Sequence, residues 1–221
     1  MHMKYSIFNL TNQGVRKSKT TNTEIGEYKW EYGYSNLESF DKVGSSLLLY
    51  IYMYSVAKKE NDEWLFCVST KNISDNISIS ERQITRSLKK LEDNNLIEDT
   101  GRKINKYKVF KMLGNYNSQM DYAIPAIIAV TKTIPLSLKL FILKLQFLMP
   151  ASRTSTYTFN HTRELRVITN DYEILENNLA LLNERGLIND TNAGREIDLK
   201  QVYDHLHKEY IANRLKGHNL I

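Results

Sequence analysis

Apolar positions fall into two stretches of the same design. Residues 45–56 (SSLLLYIYMYSV) are apolar on nearly every side, the pattern of a helix buried all round. A short apolar strand follows at 64–68 (WLFCV), then a short helix at 70–76, a turn at 77–80 and a longer amphipathic helix at 81–94. A strand begins at 96–98, Thr100 and Gly101 suggest a turn, and the alternation of 103–112 (KINKYKVFKM) predicts a returning strand. The second stretch repeats the order: apolar helix 135–148, strand 156–159, short helix 162–168, turn 169–171, longer helix 172–184, and a hairpin from 187–189 and 195–199 around Asn192-Ala193-Gly194.

The two longer helices superpose at an offset of 91 residues. Ile84, Leu88, Leu91, Leu96, Ile97 and Asp99 fall on Leu175, Leu179, Leu182, Leu187, Ile188 and Asp190. The first three of each set lie at i, i+4 and i+7, one face of a helix. Each helix then stops at a residue suited to positive φ, Asn95 in the first copy and Gly186 in the second. A duplicated supersecondary unit is therefore expected. The fold class is α+β, mostly helical, as two tandem units: 1–35 an N-terminal arm and strand, 36–118 the first unit, 119–221 the second with a C-terminal helix.

The segment SISERQITRSLKKLEDNNLIEDTGRKINKYKV resembles the winged helix-turn-helix superfamily of DNA-binding proteins, closely over 36–112 and more loosely over 122–200. Two such units in tandem are similar in length, duplication and basic character to the iteron-type replication initiators of plasmids and to related phage replication proteins. The resemblance implies a double-stranded DNA partner, origin recognition as a monomer or dimer, and recruitment of a host replication protein. A dimeric transcriptional regulator bound to an operator stands as the alternative, and a winged-helix adaptor that binds only protein as a third.

Charge placement selects the reading surface. With Ile84 at the centre of the buried face and about 100° per residue, Arg82, Arg86 and Lys89 point the opposite way. Lys90 and Gln83 flank them on one side and Thr85 on the other, while Ser80 is placed to cap the helix. Arginine offers the paired donors that match guanine, and a helix of this kind enters the major groove. The hairpin adds Arg102, Lys103, Lys106, Lys108 and Lys111 with no acid among them, and alternation with Tyr107 and Val109 sends Lys106 and Lys108 to one face. The same lysines would also suit a solvated sheet edge.

The second long helix, treated alike, presents Glu173, Asn177, Ala180 and Glu184, flanked by Ile174 and Leu181. Carboxylates facing phosphates are repelled. Glu173, Ile174, Asn177 and Leu181 are thus expected to form a dimer or partner surface. A second DNA contact, helped by Arg153, Arg163, Arg166 and Arg195, is the other reading.

The rest of the chain narrows the class. A net charge of +5 and a pI near 9.1 permit a nucleic-acid partner without demanding one. Cys67 is the sole cysteine, which excludes an intramolecular disulfide and fits a small strand residue. His205-Leu206-His207 copies a nickase signature, but it sits in a predicted helix where residues two apart diverge by about 200°. No phosphate loop or metal spacing occurs, so no enzyme activity, catalytic residue, cofactor or metal is expected. No signal or spanning segment is apparent and cytoplasmic residence is expected. The polar stretch 12–22 (NQGVRKSKTTN) reads equally as a DNA-following arm or a disordered leader, and KWEYGYSN as a strand against the first unit.

Overall fold

The computed structural model describes residues 30–33, 43–113, 122–148 and 156–217. The chain divides into two compact units, 1–130 and 131–221. The boundary falls after Val130 rather than after residue 118, because sequence-distant segments close on the first unit. Strand β1 (Trp30–Gly33) pairs antiparallel with β6 (Tyr122–Pro125). The short helix α4 (Ile127–Val130) packs with helix α1 (Ser46–Val56). The strand expected in KWEYGYSN therefore exists and lies against α1, whereas β6 and α4 sit where a linker and the start of the second unit were expected. The segment 12–22 lies outside the described residues.

Unit 1 is organised around α1, in which Leu47, Leu48, Leu49, Tyr50, Ile51, Tyr52 and Met53 are all buried. An apolar helix without a polar face has no side to give to water, so other elements must enclose it. Helices α2 (Thr70–Ile77) and α3 (Glu81–Asp93), strand β3 (Glu63–Cys67) and β1 do so. The sheet runs β2-β3-β5-β4, all antiparallel, with β2 at Lys58–Glu60, β4 at Ile97–Ile104 and β5 at Tyr107–Met112. Cys67 is half-buried on β3, and burial pushes its thiol pKa up, away from reactivity.

The hairpin turn is displaced from its expected place. Thr100 and Gly101 do not reverse the chain; they form a bulge in β4, where the register slips between Asp99 and Lys103. Gly101 takes φ +69, its N–H donates to Asp99 Oδ1 at 3.0 Å, and the Thr100 hydroxyl donates to the Val109 carbonyl at 2.7 Å. Reversal comes at Asn105 and Lys106, with Asn105 at φ 57 and Ile104 paired to Tyr107. Lys103 thus belongs to the outgoing strand and Lys106 to the turn, not to an alternating strand face.

Unit 2 follows a parallel element order: helix α5 (Leu136–Leu148), strand β7 (Thr156–Phe159), a 3-10 turn (Thr162–Val167), helix α6 (Tyr172–Glu184) and the hairpin β8 (Asn189–Thr191) and β9 (Gly194–Asp198). Its sheet runs β7-β9-β8, and helix α7 (Leu199–Gly217) packs on β7 and β9 through Leu199, Val202, Tyr203 and Leu206. The expected short helix is a 3-10 segment, and β8 is only three residues long. Within α5, Lys144 Nζ donates to the Ile168 carbonyl at 2.9 Å, while Lys139 is only 4% exposed.

The ends of α3 and α6 share one cap bond and two C-terminal bonds. Ser80 and Asp171 cap them, accepting from Gln83 N and Ile174 N. At the other end Leu96 N–H reaches Leu91 O and Asn95 N–H reaches Glu92 O, both at 2.9 Å; Leu187 reaches Leu182 and Gly186 reaches Asn183 at the same 2.9 Å. This pair of bonds requires a left-handed residue after the helix, and Asn95 (φ 54) and Gly186 (φ 64) supply it. A Cβ at Gly186 would meet nothing within 4 Å, so only backbone conformation opposes one there. Gly186→Ala should therefore cost about 1–2 kcal/mol in denaturant unfolding, and Gly186→Asn clearly less. Equal losses would contradict a conformational origin.

Candidate nucleic-acid interface

Helix α3 presents the surface that its sequence implied. Ile84 and Leu91 are fully buried beneath it, whereas Arg82, Gln83, Thr85, Arg86, Lys89 and Lys90 are all exposed. One core position differs: Ser87 is buried and Leu88 only half-buried, so the packed stripe lies slightly to one side of the Ile84, Leu88, Leu91 line. Helix α2 and the turn at Ser78, which takes φ 56, hold the start of α3. Ile79 is buried in that turn, and the Thr70 hydroxyl donates to the Glu81 carboxylate, tying the two helices together.

Two of the exposed polar residues already have local work. Gln83 Oε1 accepts from Ser80 N–H at 3.2 Å, closing a capping box. The Thr85 hydroxyl donates to the Glu81 carbonyl at 3.0 Å. Arg82, Arg86, Lys89 and Lys90 have no ion-pair partner among the described residues. They form a cationic strip along the outside of the helix, and α3 leads through Asn94 and Asn95 into β4, which packs beside it.

The hairpin is less cationic than its sequence suggested. Lys108 Nζ lies 2.6 Å from Asp99 Oδ2, Lys111 Nζ 2.6 Å from Glu63 Oε1, and Arg102 3.6 Å from Glu60. The Lys108 ammonium, with help from the Gly101 N–H, holds the Asp99 carboxyl below its usual range, and Asp99 and Glu63 raise the pKa of Lys108 and Lys111. Lys103 and Lys106 remain at the tip without an ion pair among the described residues, Lys106 lying 5.5 Å from the Tyr107 ring centre. Between them Ile104 is 47% exposed, a large apolar side chain at a tight turn. Sequence reasoning missed Ile104 and the neutralising acids. The acids are reached across strands, Glu63 and Lys111 being 48 residues apart. Asn105 was the available signal for the true turn.

On α6 the equivalent face lacks the α3 cations and carries one carboxylate in their place. At the same 91-residue offset, Arg82, Arg86, Lys89 and Lys90 become Glu173, Asn177, Ala180 and Leu181. Glu173, Ile174 and Asn177 are exposed and Leu181 is half-buried. Of the arginines that might have compensated, Arg195 pairs with Asp190 at 3.3 Å and Arg166 lies 5.8 Å from the Tyr172 ring centre. Arg153 lies outside the described residues. His205 and His207 lie on α7, His205 contacting Glu209 at 3.2 Å.

Residues 44–97 match a family model described as a helix-turn-helix domain. The match takes in α1, the β2–β3 hairpin, α2 and α3 and ends at the first residue of β4. It supports a helix-turn-helix DNA-binding class for that segment, with DNA as the partner it implies. No curated protein and no solved structure matches the chain. Among the described residues no helix is long and apolar enough to cross a membrane.

Proposed function

We propose that the chain is a sequence-specific double-stranded DNA-binding protein made of two winged helix-turn-helix units, unit 1 reading the duplex, and that it serves as a replication initiator of the plasmid or phage type in the cytoplasm. One observation carries the DNA reading. Four exposed cations without ion pairs among the described residues line the outer face of α3, on the helix-turn-helix segment, beside a hairpin whose tip carries two more. Arg82 and Arg86 are suited to base edges, and Lys89, Lys90, Lys103 and Lys106 to phosphates. The matched caps and C-terminal bonds of α3 and α6 support reading unit 2 as a copy of the same supersecondary design.

Selection of bound duplexes from a random pool tests the reading. A recovered consensus with directly repeated half-sites favours the initiator, and an inverted repeat favours a dimeric regulator. No enrichment would overturn DNA binding itself. The ion pairs sharpen a further expectation. Lys103→Ala and Lys106→Ala should each reduce the salt slope of binding by about 1. Lys108→Ala, whose ammonium already serves Asp99, should leave it nearly unchanged. A loss at Lys108 equal to that at Lys103 would show that the hairpin base also meets phosphate.

A further inference from the structure

We propose that the outer face of α6 is a docking site for a cationic, amphipathic protein segment rather than for DNA. Three features meet there. Every cation of the α3 face is absent from its counterpart, and Glu173 and Glu184 stand at the two ends of the exposed face with Asn177 between them. Of the four large hydrophobic side chains exposed among the described residues, Leu136, Tyr172 and Ile174 all belong to unit 2. The third feature is how they are arranged. By helical position Ile174 and Leu181 share a flank with Asn178 and Arg185. Asn178 and Arg185 reach the Ser137 and Thr133 carbonyls at 3.5 and 3.2 Å, so the segment bearing Leu136 borders that flank. An apolar strip of Ile174, Leu136 and the half-buried Leu181 thus runs beside a face with a carboxylate at each end.

That pattern specifies its occupant. A helix that places apolar side chains on the strip and lysines or arginines along its edge would satisfy both halves of the surface. A phosphate backbone is repelled by Glu173 and Glu184. A second copy of α6 laid antiparallel would set Glu173 against Glu184, opposing like charges at both ends. Neither assignment is a premise of the other, so either can fail alone.

The test uses the full chain and two labelled helical peptides, one of leucine and lysine, the other of leucine and glutamate, followed by fluorescence anisotropy. The leucine–lysine peptide should bind the wild type and lose about tenfold or more in affinity against Glu173→Lys combined with Glu184→Lys. It should also weaken against Ile174→Ser, an exposed substitution that leaves the core intact, and the leucine–glutamate peptide should not bind. Duplex affinity of the charge-reversed variant should stay within about twofold of the wild type, and Arg82→Ala should leave peptide binding unchanged. Equal peptide affinity for wild type and variants would overturn the proposal. So would a rise in duplex affinity on charge reversal, which would put the face on DNA. A change of mass in light scattering would overturn it in favour of a second copy.

Discussion

Alanine at Arg82 or at Arg86 is expected to remove about 1–3 kcal/mol each of binding to the selected duplex, with a smaller loss on unrelated DNA. Both side chains are exposed, on the opposite side of α3 from the buried Ile84 and Leu91, and neither has an ion-pair partner among the described residues. The loss should therefore appear in binding and not in folding, since surface substitutions away from special contacts usually stay within about 0.5 kcal/mol of the wild type. Arg→Lys at the same positions would keep the charge but lose the forked donor geometry. It should thus retain non-specific affinity while relaxing preference at the contacted base pair. Competition titration of specific against scrambled duplex separates the two effects. A uniform loss on both duplexes for Arg82→Ala and Arg86→Ala would demote these residues to phosphate contacts.

Unit 2 should gain stability as pH rises from about 8 toward 10.5, and Lys139→Met should abolish that gain. Lys139 is 4% exposed within α5, and burial, reinforced by the nearby Lys132, lowers its pKa to about 8 from 10.5. Protonated lysine is thus disfavoured in the folded state. Because the folded pKa is depressed, the penalty is fully present below pH 8 and fades as pH rises toward 10.5. The displacement corresponds to about 3 kcal/mol at pH 7, at roughly 1.4 kcal/mol per unit. Methionine has a similar length, carries no charge and adapts to irregular packing. The difference in unfolding free energy between variant and wild type should change by about that amount between pH 7 and pH 10.5. A difference independent of pH would place the cost in packing instead of in the buried charge.

Much of the architecture was legible because its signals are local. Helix α6 and strand β7 have the bounds read from the sequence, and α1 and α3 differ only at a terminal residue, since apolar periodicity, the caps Ser80 and Asp171 and the stop residues Asn95 and Gly186 act within a few positions. What escaped was non-local or competitive. The β1–β6 pair joins segments about ninety residues apart, and nothing in either strand names its partner. Thr100-Gly101 carries turn chemistry, but side-chain bonds from Asp99 and Thr100 use that chemistry for a bulge while Asn105 makes the reversal. The charge of the hairpin was misjudged for the same reason: Asp99, Glu60 and Glu63 neutralise it from across the sheet. The exposed face of α3, by contrast, follows from helical geometry once Ile84 is known to be buried.

Among the described residues of unit 1, the charge proposed to face DNA is confined to the α3 strip and the hairpin tip. The most direct test of this central claim is the salt dependence of duplex binding by the intact chain. The four lysines assigned to phosphates predict a slope of log affinity against log salt of about −3.5. Removing Lys103 and Lys106 together should bring it to about −2. A slope near zero, or one that stays at its full value after both lysines are replaced, would contradict the account.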